Sequence, residues 1–158
     1  MWRNRQGAVL AVTMLLAIAM VISGADRASG QVDLHVLMPA AGGRSSLIDV
    51  VGGPGLDPGD GAVGRGPVVD GGTGENAGSV YFECTVMRKI RGDDEGLWRC
   101  SYHLRLADGA IVLQGLDPRG FGASTFAVVG GTKAYAAASG DAVFTDSDEG
   151  TDMVISLT

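Results

Sequence analysis

The sequence predicts an all-β fold, and three observations predict it. Glycine supplies 26 of the 158 residues, and a helix interior loses roughly 1 kcal/mol at each glycine. Between residues 80 and 106 two segments alternate apolar with polar side chains around a loop-forming centre, the pattern of a half-buried strand pair. Turn signals recur about every ten residues over most of the chain while helix signals are nearly absent, which describes an antiparallel barrel or sandwich of about eight strands. No strict glycine period exists, so collagen is excluded. One domain is the ceiling at this length.

The first segment stands apart. Arg3 and Arg5 precede a run, Ala8 to Ile22, that is apolar except at Thr13, and small residues follow at 23–25 and 28–30. That order is the basic n-region, h-region and cleavage region of a signal peptide. Residues 1–30 are therefore expected to be a leader cut near 25 or 30, leaving a single domain over 31–158 that is secreted and not stably inserted in a membrane. The rival is a retained signal anchor, since the run approaches the roughly 20 residues that span a bilayer. Losing the leader leaves 9 basic against 17 acidic side chains and moves the net charge from −6 to −8. A nucleic-acid partner, which needs a basic footprint, is not expected. Export also favours pairing of the two cysteines.

Strand-like segments follow in order at 32–38 and 47–51. From 52 to 78 a Gly-rich loop is expected, with only 62–69 suited to a strand. Residues 80–90 and 97–106 form a hairpin around Arg91-Gly92-Asp93-Asp94-Glu95-Gly96. If Cys84 faces Cys100, Val80 opposes Leu104, Phe82 opposes Tyr102 and Val86 opposes Trp98, every pair apolar or aromatic. The other face then sets Tyr81 against His103, Glu83 against Ser101 and Thr85 against Arg99, mostly polar. A slip of one residue would scramble both faces, so the cysteine register and the hydrophobic pattern agree independently. A disulfide Cys84–Cys100 would stabilise by about 3 kcal/mol. The alternative, a reactive thiol or redox pair, lacks CxxC spacing and any clustered His or Lys. Further strands are expected at 110–116, 124–129, 142–145 and 152–157, separated by Ala107-Asp108-Gly109, Asp117-Pro118-Arg119-Gly120 and Gly130-Gly131.

Several motifs carry no site. Residues 52–57 and 71–76 each resemble a calcium-binding nonapeptide, but they are not in tandem and cannot complete a metal shell. Gly130-Gly131-Thr132-Lys133 lacks the spacing of a phosphate loop. His35 and His103 have no partner at metal-ligand spacing, so no metal is expected. A coenzyme fingerprint, a GxSxG nucleophile and an Asn-x-Ser/Thr sequon are all missing, and no cofactor is expected.

Taken together, Gly78, Cys84, Trp98-x-Cys100, Leu106-Ala107-Asp108-Gly109-x-Ile111, Gly115, and Phe126-Ala127-Val128-Val129-Gly130-Gly131-Thr132 followed by Tyr135, Ala138 and Gly140 resemble the allene oxide cyclase/dirigent barrel superfamily. The resemblance covers about residues 45–158. Lys133 and Ala137 stand where the family often has Gly. The resemblance implies an eight-stranded antiparallel β-barrel, often trimeric, whose lumen receives an apolar small molecule and guides its cyclisation, isomerisation or stereoselective coupling. It also implies that Cys84 faces the lumen, with Glu83, Arg99, Ser101, His103 and Arg105 toward water. Phe82, Val86, Trp98, Tyr102, Leu104 and Phe126 are then the expected ligand-binding residues. Cyclase members use a first-strand carboxylate; no Glu is present there, and Asp33 or His35 would have to substitute, with Asp49 and Asp117 as candidates at strand ends. The rivals are a non-catalytic lipocalin-like carrier and a structural barrel whose aromatics fill the interior.

Overall fold

A computed structural model describes residues 32–50, 52, 55–91, 95–118 and 122–158. The leader expected at 1–30 lies outside them. Nine strands follow one another: β1 Val32–Pro39, β2 Arg44–Ile48, β3 Gly61–Asp70, β4 Asn76–Arg91, β5 Glu95–Leu106, β6 Gly109–Pro118, β7 Ser124–Lys133, β8 Gly140–Ser147 and β9 Gly150–Leu157. No helix occurs among the described residues.

Strands β3 to β9 form an antiparallel meander, and β1 closes it by pairing with β9 on one side and β3 on the other. The result is a closed eight-stranded barrel built from nine elements, because β1 and β2 share one edge. Leu37 pairs with Val69 at one end of β3, and Arg44 to Ile48 pair with Arg65 to Gly61 farther along it. Pro39 and the connection 40–43, with Gly42 at φ +93°, form the jog that lets one edge position be filled twice. Pro ends pairing by removing a donor, and Gly accepts the left-handed conformation. At the centre of the Gly-rich stretch 52–78 lies β3, the strand that the sequence permits at 62–69.

The hairpin β4–β5 has the register read from the cysteines. Cys84 opposes Cys100, Val80 opposes Leu104, Phe82 opposes Tyr102 and Val86 opposes Trp98, and the two cysteines form a disulfide. Beyond Val86 the ladder shifts at two irregularities, so the expected pairing stops where the hairpin begins to bend away. Inward positions of every strand from β3 to β9, with Val36 of β1, form one buried cluster. Val68, Val80, Leu104, Ile111, Leu113, Ala142, Met153 and Ile155 have no exposed surface at all. No water-sized void therefore touches them, and this part of the barrel is a packed core.

Candidate functional site

Alternation decides what faces inward. Across β4, β5, β6 and β7 one inward row reads Cys84, Cys100, Gly115 and Phe126. Gly115 has no side chain because the Phe126 ring occupies that space: a Cβ there would stand 2.8 Å from Phe126 Cδ1. Phe82 lies over Gly64 in the same way, its ring filling the place a Cβ would take. Glycines on the inner wall thus make room for rings, and the rings gather. Tyr102 meets Phe126 and Phe144 edge-on at centroid distances of 5.1 and 4.8 Å, Phe126 and Phe144 are 4.5 Å apart, and Phe82 joins through Tyr102 at 5.7 Å. Such pairs contribute about 0.5–1.5 kcal/mol each beyond the area they bury.

One row nearer the mouth the chemistry changes. Val86 pairs with Trp98 and Trp98 with Asp117. On the other side Val86 N–H donates to the carbonyl of Asp60 at 2.8 Å, which extends β3 backward and puts Asp60 in line with inward Ala62. The row therefore reads Asp60, Val86, Trp98, Asp117 across four strands. Asp60 is 2% exposed. Its Oδ1 accepts the Val50 N–H at 2.9 Å and its Oδ2 accepts the Asp57 N–H at 2.7 Å. Those bonds tie the β2–β3 connection to the mouth, where Leu56 packs on the buried cluster. On the far side the buried Ser124 hydroxyl donates to Asp117 Oδ1 at 2.7 Å. The arrangement gathers two carboxylates, a hydroxyl and an indole beside the aromatic cluster, all of them buried except the half-buried Asp117.

All six expected ligand-binding residues belong to this interior or pack against it, and all but Phe82 are buried. Phe82 is half-buried; Val86, Trp98, Tyr102 and Phe126 are buried, and Leu104 sits in the fully closed part. The four candidate acids and bases separate. Asp33 and His35 alternate with inward Leu34 and Val36, so both stand on the outer face. Asp33 accepts the Ser156 hydroxyl at 2.8 Å, and His35 Nε2 is 2.6 Å from Asp152 Oδ1. Asp49 is exposed and caps its own loop through Gly52 N–H. Asp117 alone joins the mouth row. Asp60 is the residue that sequence reasoning missed; its signal was the two-residue step to Ala62, hidden by Pro58-Gly59.

The outer face corrects one expectation. Glu83, Arg99, His103 and Arg105 are exposed as expected, whereas Ser101 is 9% exposed and contacts His103 Nε2 at 3.3 Å. It lies in the floor of a groove of about 810 Å³ bordered by Ile48, Val50, Val63 and Leu116. Asp70 and Tyr135 titrate away from their ordinary values. Backbone N–H groups of Thr73 and Gly72 stabilise the Asp70 carboxylate and lower its pKa, while partial burial, helped by Asp108, raises that of Tyr135. No group of His, Cys, Asp and Glu suited to a metal ion exists among the described residues.

No family model and no curated protein matches the chain. Solved structures do. A pyocyanin demethylase superposes with a TM-score of 0.65 at 22% identity, over 82% of this chain and 100% of its own. The Diels-Alderase AbmU from Streptomyces koyangensis gives 0.61 at 16% identity, over 81% of this chain and 63% of its own. A pterocarpan synthase dirigent protein gives 0.56 at 16%, over 81% and 84%. These likenesses establish a shared barrel fold.

Proposed function

We propose that this chain is an exported barrel that receives an apolar small molecule at its mouth and guides the molecule's cyclisation, isomerisation or stereoselective coupling. The observation that carries the reading is the inward row Asp60, Val86, Trp98 and Asp117. A carrier or a filled structural barrel needs only apolar side chains inside; the cost of burying Asp60 is offset by the two loop amides it holds, and the half-buried Asp117 beside Ser124 is the inward carboxylate that carries the reading. The barrels it resembles include a Diels-Alderase and a pterocarpan synthase dirigent protein. Room for the ligand requires movement at this end, where Asp60, Val86 and Trp98 are buried and Leu56 packs on the cluster: Leu56 yields its place and the substrate rests on Phe82, Trp98 and Tyr102. The aromatic bed folds the substrate toward a near-attack geometry and excludes water, and the Asp117–Ser124 pair orients its polar atom. A cyclisation of this kind balances within the substrate. Export rests on the leader-like residues 1–30 and fits the disulfide.

The test is native mass spectrometry after incubation with a pool of unsaturated fatty acids, phenols and polyketides, followed by product analysis. One class should be retained, with retention reduced in Phe82→Leu and product distribution altered in Asp117→Asn. A folded protein that retains nothing from the pool would overturn the proposal.

A further inference from the structure

We propose a second, independent binding site on the outside of the barrel, an oxyanion site built on Arg44 and Arg65 that takes the carboxylate, sulfate or phosphate group of a small ligand. The two arginines are directly opposed on the β2–β3 ladder. Like charges facing each other across strands are destabilising, and this chain has few cations to place, 12 against 18 acidic residues. Both side chains are exposed, and their side of β3 is the outer one because Gly64 and Gly66 take the inward positions. Among the described residues the ion pairs are His35–Asp152 and Lys89–Asp57, and neither includes these arginines. Glu83, two residues along β4 from the Tyr81 that opposes Arg65, makes no ion pair with either.

A groove of about 450 Å³ lies at this pair, and its lining is donor chemistry: Arg44, Arg65, Asn76, Ser79 and Tyr81, with Gly42 at the jog and no carboxylate. Asn76 Oδ1 already accepts the Gly78 N–H at 3.2 Å, so its NH₂ is the end left to donate. On the next strand Arg105 opposes Ser79, which adds positive charge beside the groove, and His103 opposes Tyr81. Two guanidinium groups flanked by two hydroxyls and an amide match an oxyanion, which arginine binds through paired charge-assisted hydrogen bonds. The anion resolves the repulsion that the ladder builds in. Tyr81, 39% exposed, adds a flat apolar flank, so a ring carrying the acidic group is accommodated as well as a bare ion.

Inorganic phosphate and benzoate serve as probes, each compared with sodium chloride at matched ionic strength, by isothermal calorimetry and by amide NMR shifts. Phosphate or benzoate should bind saturably, shift the amides of Arg65, Ser79 and Tyr81, and raise the melting temperature above the chloride control. Preference for phosphate assigns a tetrahedral ligand group, and preference for benzoate an aryl carboxylate. Arg44→Gln and Arg65→Gln should each weaken binding about tenfold and raise the melting temperature at low salt without anion, because each removes the like-charge pair. Probes that act no differently from chloride overturn the proposal, as do glutamine variants that bind as the parent does. Both positions are exposed, and Tyr81→Phe supplies a third variant that keeps the fold. Retention of an apolar ligand at the mouth is unaffected by any of these results.

Discussion

Replacing Asp60 tests whether the mouth is organised by a carboxylate. Among the described residues each oxygen accepts a backbone N–H, from Val50 and from Asp57, and a hydrogen bond to a charged group contributes about 1.5–3 kcal/mol. Asp60→Ala removes both acceptors and leaves two amides to find others, so the expected loss is about 3–5 kcal/mol. Asp60→Asn keeps one acceptor oxygen and points an NH₂ at the other amide, with an expected loss of about half that. The Lys89–Asp57 ion pair at 3.2 Å also ties this connection to β4, but a partly exposed pair contributes at most about 1 kcal/mol. Asp60 therefore dominates, and Lys89→Ala is the control. Guanidinium unfolding followed by Trp98 fluorescence reads the loss as a lower midpoint with unchanged slope. Hydrogen exchange at the Val50 and Asp57 amides should quicken in the same variants. A loss below about 1 kcal/mol in Asp60→Ala, where at least 3 is expected, or unchanged exchange at both amides, would refute the reasoning.

Three further outcomes are expected. Lys133 holds φ +54° without being Gly, so Lys133→Gly should stabilise by about 1 kcal/mol, and a lower unfolding midpoint would contradict that. Replacing Cys84 and Cys100 together by Ala opens a loop of 16 residues and should cost about 3 kcal/mol; thiol titration of the unfolded parent should find no free cysteine at these positions. Tyr135 has a raised pKa in the folded chain, so the unfolded chain loses that proton first. Its contribution is therefore complete below about pH 10, the ordinary tyrosine value, and declines as pH rises through the folded value. Tyr135→Phe should flatten the alkaline arm of a stability profile, and an identical arm in both proteins would count against this assignment.

The hairpin was legible because two constraints with the same two-residue period, a cysteine pair and an apolar face, had to agree. Where only one constraint acted, less could be read. The jog at 40–43 was invisible as a barrel feature, since a proline followed by small residues marks a break in pairing without saying that both halves share a partner. Lys133 stood out only against the resemblance, where Gly is expected; its φ of +54° is the left-handed conformation that Gly adopts without strain.

The site divides along the same line. The aromatic cluster follows from alternation within strands that were recognised, so the inward placement of Phe82, Trp98, Tyr102 and Phe126 was legible. Asp60 was lost because Gly and Pro density reads as loop, and a strand that begins inside such a stretch shows its inward side only once Ala62 is known to be buried. Asp33 and His35 teach the converse. On a strand with one buried face, polar residues between two apolar ones belong to the opposite face, and Leu34 and Val36 flank His35 in that way. A first-strand role inside the barrel would require β1 to turn over by one residue, exposing Val36, which is 4% exposed, and breaking the eight-residue ladder with β9. On the function proposed above, the inward carboxylates are therefore Asp60, just before β3, and Asp117 on β6, and none comes from β1.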